Sequence, residues 1–213
     1  MKLQLALDTL NLEESINLLS ELHQDIDIIE IGTPFIIESG VQPVTTMKAK
    51  FPNAIILADT KIMDAGGLEA SAAFKAGADI VTVLGVSNDA TILETVKAAK
   101  QYHKQVMVDM IAVKNLKART IEIDQMGVDY ICVHTAYDVQ AFAANPLAEL
   151  LTVNQVIKNA KSAVAGGVKL AIIDEIVKAK PEIIVVGGAI INALDQKEMT
   201  KAIKMQMLES ESN

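Results

Sequence analysis

The strongest constraint in this chain is a unit that recurs eight times: a short, β-branched apolar run, a polar or glycine stop, then a segment with apolar residues three and four apart. The runs are Leu3 to Asp8, Ile26 to Ile31, Ala54 to Thr60, Ile80 to Leu84, Gln105 to Met110, Tyr130 to His134, Ala163 to Ala165 and Ile183 to Val186. Between them lie helix-period segments such as Leu12 to Leu22, Ala90 to Lys100, Leu116 to Met126 and Gln196 to Leu208. Strands alternating with helices imply parallel pairing through helical crossovers, and eight strands close a barrel. The 213 residues allow roughly 27 per unit, near the ~250-residue norm with loops trimmed. The expected fold is a single (β/α)8 TIM barrel over residues 1–213, with Glu209-Ser210-Glu211-Ser212-Asn213 reading as a flexible, solvated tail. A doubly wound open sheet is the rival. Its nucleotide-binding form requires a G-x-G turn after the first strand, where this chain has Asp8-Thr9-Leu10.

Composition narrows the function classes. The chain is 51% hydrophobic with a mean hydropathy of +0.31, yet each apolar run is short and followed by charge, well under the roughly 18 unbroken apolar residues of a membrane span. Met1-Lys2-Leu3-Gln4 leads straight into a strand pattern without the layout of a secretory signal, so a cytoplasmic location and no membrane partner are expected. The single cysteine, Cys132, lies inside an apolar strand and reads as a small buried hydrophobe in a reducing compartment. A net charge of −8 repels polyanions, and no basic cluster offsets it, so nucleic acid is not an expected partner.

What remains informative is the set of polar residues at the strand ends. Barrel active sites lie at the C-terminal face, so a charge that closes an apolar strand points toward the site. These residues are Asp8, Glu30, Asp59 with Lys61, Asp109 and His134. Burying so many charges costs several kcal/mol each unless they are paired or bind a metal. Asp8 and Asp109 also have a plain reading as helix N-caps. Glu30, within Ile28-Ile29-Glu30-Ile31-Gly32, has no capping use. In Asp59-Thr60-Lys61-Ile62-Met63-Asp64, strand alternation puts Asp59 and Lys61 on one face, and Asp64 follows at the turn; a structural ion pair and an N-cap at Asp64 are the alternatives. Glu30 and Asp59, on neighbouring strands, offer two hard oxygen ligands, enough for Mg2+ when substrate and water complete an octahedron.

His134 is the one histidine of three at a strand end; His23 and His103 fall where a helix end or solvent accounts for them. An imidazole titrating near neutrality suits a general base. Two glycine pairs follow the last two strands, in Ala165-Gly166-Gly167 and Val186-Gly187-Gly188-Ala189. In barrels the loops after strands seven and eight often cradle phosphate on backbone N–H groups, so Gly166, Gly167, Gly187, Gly188 and Ala189 are the expected phosphate binders.

These residues carry a family resemblance. Leu3-Gln4-Leu5-Ala6-Leu7-Asp8, Ile29-Glu30-Ile31-Gly32-Thr33-Pro34, Ala58-Asp59-Thr60-Lys61-Ile62-Met63-Asp64, Val108-Asp109-Met110-Ile111, Val133-His134-Thr135 and the two glycine motifs resemble, nearly end to end, the 3-hexulose-6-phosphate synthases of the orotidine 5'-monophosphate decarboxylase superfamily. The resemblance implies a Mg2+-dependent aldol reaction of formaldehyde with D-ribulose 5-phosphate, and a homodimer with its sites at the interface, where the residue matching Asp64 serves the neighbouring subunit. For that reaction, Glu30 and Asp59 are expected to hold the metal, His134 to remove the C1 proton, and Asp8, Lys61 and Asp64 to hold the sugar hydroxyls and the developing oxyanion.

Some positions depart from relatives. The related 3-keto-L-gulonate-6-phosphate decarboxylases typically carry Arg three residues after the histidine and Glu matching Asp109, whereas this chain has Tyr137 and Asp109, which favours the synthase. The synthases usually carry Gly where this chain has Ala136, and Phe142-Ala143-Ala144 lacks their Gly/Lys character. A decarboxylase and a phosphosugar-binding barrel without turnover remain the alternatives at this point.

Overall fold

The computed structural model describes residues 1–140 and 146–211. Phe142, Ala143 and Ala144 lie outside the described residues.

Eight parallel strands close into a barrel in sequence order: β1 (Lys2–Leu7), β2 (Ile28–Ile31), β3 (Ile55–Ile62), β4 (Ile80–Leu84), β5 (Gln105–Asp109), β6 (Tyr130–His134), β7 (Lys161–Ala165) and β8 (Ile183–Val186). Helices α1 (Leu12–Leu22), α2 (Thr33–Ser39), α3 (Gln42–Lys50), α4 (Gly66–Ala76), α5 (Asp89–Tyr102), α6 (Leu116–Asp124), α7 (Leu147–Asn154), α8 (Ile173–Lys178), α9 (Gly188–Ile191) and α10 (Gln196–Glu211) fill the connections. The (β/α)8 reading holds, and α10 runs as helix into the segment read as a tail. No helix among the described residues is long and apolar enough to cross a membrane.

Alternation along each strand sorts the side chains into two cores. Leu3, Leu5, Leu7, Ile29, Ile31, Val81, Val83, Ile131 and Val133 pack outward against the helices. Ala6, Ile28, Leu57, Ile80, Met107, Tyr130, Cys132, Ala163, Ile183 and Val185 fill the interior. With both faces covered, each strand is a nearly continuous apolar run, which is why the runs were legible. Glu30, Asp59 and Asp109 stand out as buried charges within these strands.

The helix starts use local chemistry. Asn11 caps α1 in a reciprocal box, its Oδ1 accepting from Glu14 N at 3.0 Å while Asn11 N donates to Glu14 Oε2 at 2.9 Å. Asp8 is therefore not that helix's cap. Asn115 caps α6, which frees Asp109 from the same reading, and α4 starts after Ala65 rather than Asp64.

The opposite end of the barrel is held by a repeated bracket. Asp27, Asp79 and Asp129 each stand immediately before an even-numbered strand and accept the backbone N–H of the preceding strand, from Leu3 at 2.7 Å, Ile56 at 2.9 Å and Val106 at 2.8 Å. Each also donates its own N–H back, to Leu3 O, Ile56 O and Val106 O. Glu182, before β8, repeats the backbone half with Ser162 O and pairs with Lys2 and Lys161, both at 3.3 Å. Lysines neutralise two of the others: Lys204 on Asp27, and Lys48 and Lys104 on Asp79 at 2.8 and 2.6 Å. Each bracket fixes its strand pair's register from below.

Candidate active site

At the C-terminal mouth, β2, β3, β5 and β6 deliver Glu30, Asp59, Asp109 and His134 to one small cavity, together with Gln4, Lys61, Thr82, Met107, Cys132, Ala165 and Val185. Its interior of about 30 Å³ has room for an ion or a couple of waters. The polar residues crown the apolar interior, so charges at the mouth sit over a low-dielectric floor.

β3 brings Asp59 and Lys61 together in a way that plain alternation does not describe. Ala58 pairs with Val81 but Ile62 with Val83, so β3 carries two more residues than β4 over the same stretch. Lys61 takes up the excess at φ 45°, in the left-handed region. The strand runs two residues past its expected end at Thr60. Thr82 locks this bulge by accepting from Lys61 N at 2.9 Å and donating to Asp59 Oδ1 at 2.7 Å. Thr33 Oγ1, at the start of α2, lies 2.8 Å from Asp59 Oδ2 and 2.7 Å from Asp59 O. Lys61 Nζ donates to Asp59 Oδ2 and stands 3.3 Å from Asp109 Oδ2.

Asp109 has a second partner, His134 Nδ1, at 2.8 Å from the same Oδ2, while its Oδ1 accepts from Ile111 N at 2.8 Å. Burial alone would raise the Asp109 carboxyl, but the hydrogen bond and charge of His134, then Lys61, hold it below the usual carboxylate range. Lys61 shows the same balance: burial would lower it, yet Asp59 and Asp109 hold it above its ordinary value and so firmly protonated.

Glu30 is different. Burial first, then repulsion from Asp59 and Asp8, pushes its carboxyl well above the ordinary glutamate value, and a 2.6 Å hydrogen bond from Gln4 Nε2 offsets this only in part. Asp8 stands one residue past β1 with an exposed side; crowding by surrounding protein and then the charge of Asp59 raise it as well. Four carboxylates thus share one ammonium and one imidazole. Excess negative charge of this kind favours a cation among them. Among the described residues no three His, Cys, Asp or Glu side chains form a ready cage, so the protein's share would be the Glu30 and Asp59 pair. Two carboxylates suit Mg2+, which keeps waters and substrate oxygens as its other ligands.

The remaining expected residues sit around this cluster. The glycine pairs end the adjacent strands β7 and β8, which pair at Val164 and Ile184, so both stand at the same mouth but outside the small cavity. Gly166 has φ +86°, and a Cβ there would meet Thr135 O at 2.2 Å; only glycine fits. Gly187 precedes α9, which opens with Gly188 and Ala189. Asp64 stays apart from the cluster, exposed, with Oδ1 accepting from Ala65 N at 2.7 Å. Residues the sequence reading did not select are Gln4, Thr33, Thr82 and Gly32. A Cβ at Gly32 would lie 2.0 Å from Asp8 Oδ1 and 2.7 Å from Leu7 O, so this glycine makes the space that Asp8 occupies. Parity was the available signal for two of them: Gln4 and Thr82 fall on the inward face, where a neutral polar residue is as costly as a charge is conspicuous.

Comparison with known proteins finds relatives over nearly the full chain. Residues 1–203 match the model of the orotidine 5'-phosphate decarboxylase / HUMPS family. The chain is 49% identical over 209 residues to a 3-hexulose-6-phosphate synthase of Bacillus subtilis (strain 168), covering 98% of this chain and 100% of that protein. It is 50% identical over 201 residues to the Staphylococcus haemolyticus (strain JCSC1435) protein of the same name, covering 94% and 96%. The crystal structure of 3-hexulose-6-phosphate synthase from Salmonella typhimurium superimposes with a TM-score of 0.96 at 42% identity, over 99% of this chain and 100% of that one.

Proposed function

The chain belongs to the orotidine 5'-phosphate decarboxylase / HUMPS family, and from that premise we propose that it is a 3-hexulose-6-phosphate synthase, an aldehyde-lyase that joins formaldehyde to D-ribulose 5-phosphate. The observation that carries this reading is the Asp109–His134 pair beside Lys61: a buried carboxylate holds the Nδ1 edge of an imidazole and so turns the other ring nitrogen to base chemistry.

His134 takes the proton from C1 of the phosphopentulose, leaving an enediolate. Asp109 accepts the Nδ1 hydrogen, which makes Nε2 the basic nitrogen and steadies the imidazolium that forms. C1 then bonds to the carbon of formaldehyde as the pentulose C2 carbonyl re-forms, and the proton on the imidazolium goes to the oxygen that came from formaldehyde, giving D-arabino-hex-3-ulose 6-phosphate. Lys61 is kept cationic by Asp59 and Asp109 and offers a fixed positive charge to the developing oxyanion; Asp8 holds sugar hydroxyls at the rim. Mg2+ bound by Glu30 and Asp59 would supply Lewis-acid stabilisation of that charge.

Formaldehyde is too small to contribute much binding energy, so the substrate's phosphate must anchor the reacting end. Gly166, Gly167, Gly187, Gly188 and Ala189 are the residues proposed for it. The active form proposed is a homodimer in which Asp64 completes the neighbouring site. Supporting this, Asp64 is exposed and lies apart from its own cluster, and Met63 and Leu68, close to it in sequence, expose apolar side chains at 53% and 76%.

The test is formaldehyde consumption with D-ribulose 5-phosphate and Mg2+, run beside decarboxylation of 3-keto-L-gulonate 6-phosphate. Turnover of the first and not the second is expected. Turnover of the second alone would make the chain a decarboxylase; binding of ribulose phosphate without loss of formaldehyde would make it a non-catalytic barrel.

A further inference from the structure

Gln4 is a costly residue for its position. Its side chain points into the barrel with 1% exposure, level with Ile28 on β2 and Val185 on β8, where an aliphatic side chain would pack without an unmet polar atom. Only one end of its amide is satisfied: Nε2 donates to Glu30 Oε2 at 2.6 Å, a short charge-assisted contact, while Oε1 is buried without a hydrogen-bond partner. A buried polar atom left in that state is destabilising. Gln4 also lines the same cavity as Glu30 and Asp59.

We propose that Gln4 is a positioning residue for the divalent-cation pair: its amide N–H holds the Glu30 carboxylate in one rotamer, leaving Oε1 of Glu30 for the ion, and its own carbonyl accepts from a water in the cavity. This rests on the reading of Glu30 and Asp59 as cation ligands. The amide orientation follows from charge. Turned the other way, the carbonyl oxygen would face a carboxylate oxygen at 2.6 Å, and the two would repel. Without the clamp, Glu30 has rotamers to lose on binding the ion and sits beside Asp59 with one fewer donor to offset their repulsion. A residue that orients a ligand in this way is typically worth about 10–100-fold in metal affinity.

The experiment uses the whole chain without substrate and titrates it with Mn2+, reading free Mn2+ by its electron paramagnetic resonance signal, with thermal unfolding in EDTA measured alongside. Wild type, Gln4→Leu and Gln4→Met are compared. Both variants should bind Mn2+ about 10-fold or more weakly while unfolding near the wild-type temperature, because removal of the unmet carbonyl offsets the loss of the donor to Glu30. That divergence of affinity from stability is what a packing role would not produce. Wild-type affinity in either folded variant would overturn the assignment, and so would failure of both to fold, since Gln4 would then be structural. If wild type itself does not bind Mn2+, the cation reading of Glu30 and Asp59 fails, an outcome separate from equal binding by all three proteins.

Discussion

Oδ2 of Asp109 lies 2.8 Å from Nδ1 of His134, so one carboxylate sets both the direction and the tautomer of the ring. Asp109→Asn keeps the shape but lets the amide donate to Nδ1, leaving the ring free to place its hydrogen on the wrong nitrogen. We expect kcat to fall by roughly 10²–10⁴-fold with a smaller change in KM, measured by formaldehyde consumption.

In D2O with Mg2+ and no formaldehyde, the wild-type protein should exchange the C1 proton of ribulose 5-phosphate, followed by proton NMR. His134→Ala should abolish the exchange. Undiminished exchange in that variant would remove His134 from the role of base.

The surroundings of Glu30 oppose its ionisation. A carboxyl raised by burial and by Asp59 and Asp8 is most favourable to the fold below its ordinary value of 4.5, and it costs stability progressively as pH rises from there toward its folded value. Glu30→Gln should therefore unfold at a higher temperature than wild type in EDTA at neutral pH, with a gap that narrows toward pH 4.5. For a chain of this length each kcal/mol gained is about 2–4 °C. Mg2+ should raise the wild-type midpoint and leave that of the variant unchanged. A lower midpoint for Glu30→Gln in EDTA would contradict this account.

Asp79 has the opposite sign. Burial opposes its ionisation, but hydrogen bonds from Lys104, Lys48 and Ile56 N outweigh it, so its pKa lies below 3.8. Its contribution is present above the unfolded value and is lost as pH falls through the folded one. Asp79→Asn should cost about 2–3 kcal/mol at pH 7, and the difference from wild type should shrink below pH 4, read from urea unfolding across pH.

Cys132 is 3% exposed, and burial, followed by the charges of Asp109 and Glu30, raises its thiol well above 9. The folded protein should react negligibly with a thiol-specific disulfide reagent and release one equivalent on unfolding. This matters beside formaldehyde, an electrophile that a thiolate at this depth would capture.

The strand ladder was legible because burial on two faces writes each strand as an apolar run, and because charges inside such runs stand out. Glu30, Asp59, Asp109 and His134 were found that way. The course of β3 was not, since nothing in Asp59-Thr60-Lys61 announces two extra residues or the left-handed turn at Lys61; the bulge is set by Thr82 on the next strand. Gln4, Thr33 and Thr82 were missed because a neutral polar residue in an apolar run looks like tolerated noise until its partner is known. Gly32 was passed over because the space it leaves for Asp8 depends on how two strand ends meet in three dimensions.

The brackets under β2, β4, β6 and β8 bear on how such a protein can change. Slipping a strand by one residue would swing Glu30 or Asp59 from the lumen to the helix layer, so the height of every reacting group is inherited from carboxylates at the far mouth that never meet the substrate. Selection can rewrite the upper loops, and with them the chemistry, while the lower acids keep each new side chain at a known elevation. A lesion at Asp27, Asp79 or Asp129 would accordingly surface as misplaced catalysis as well as lost stability.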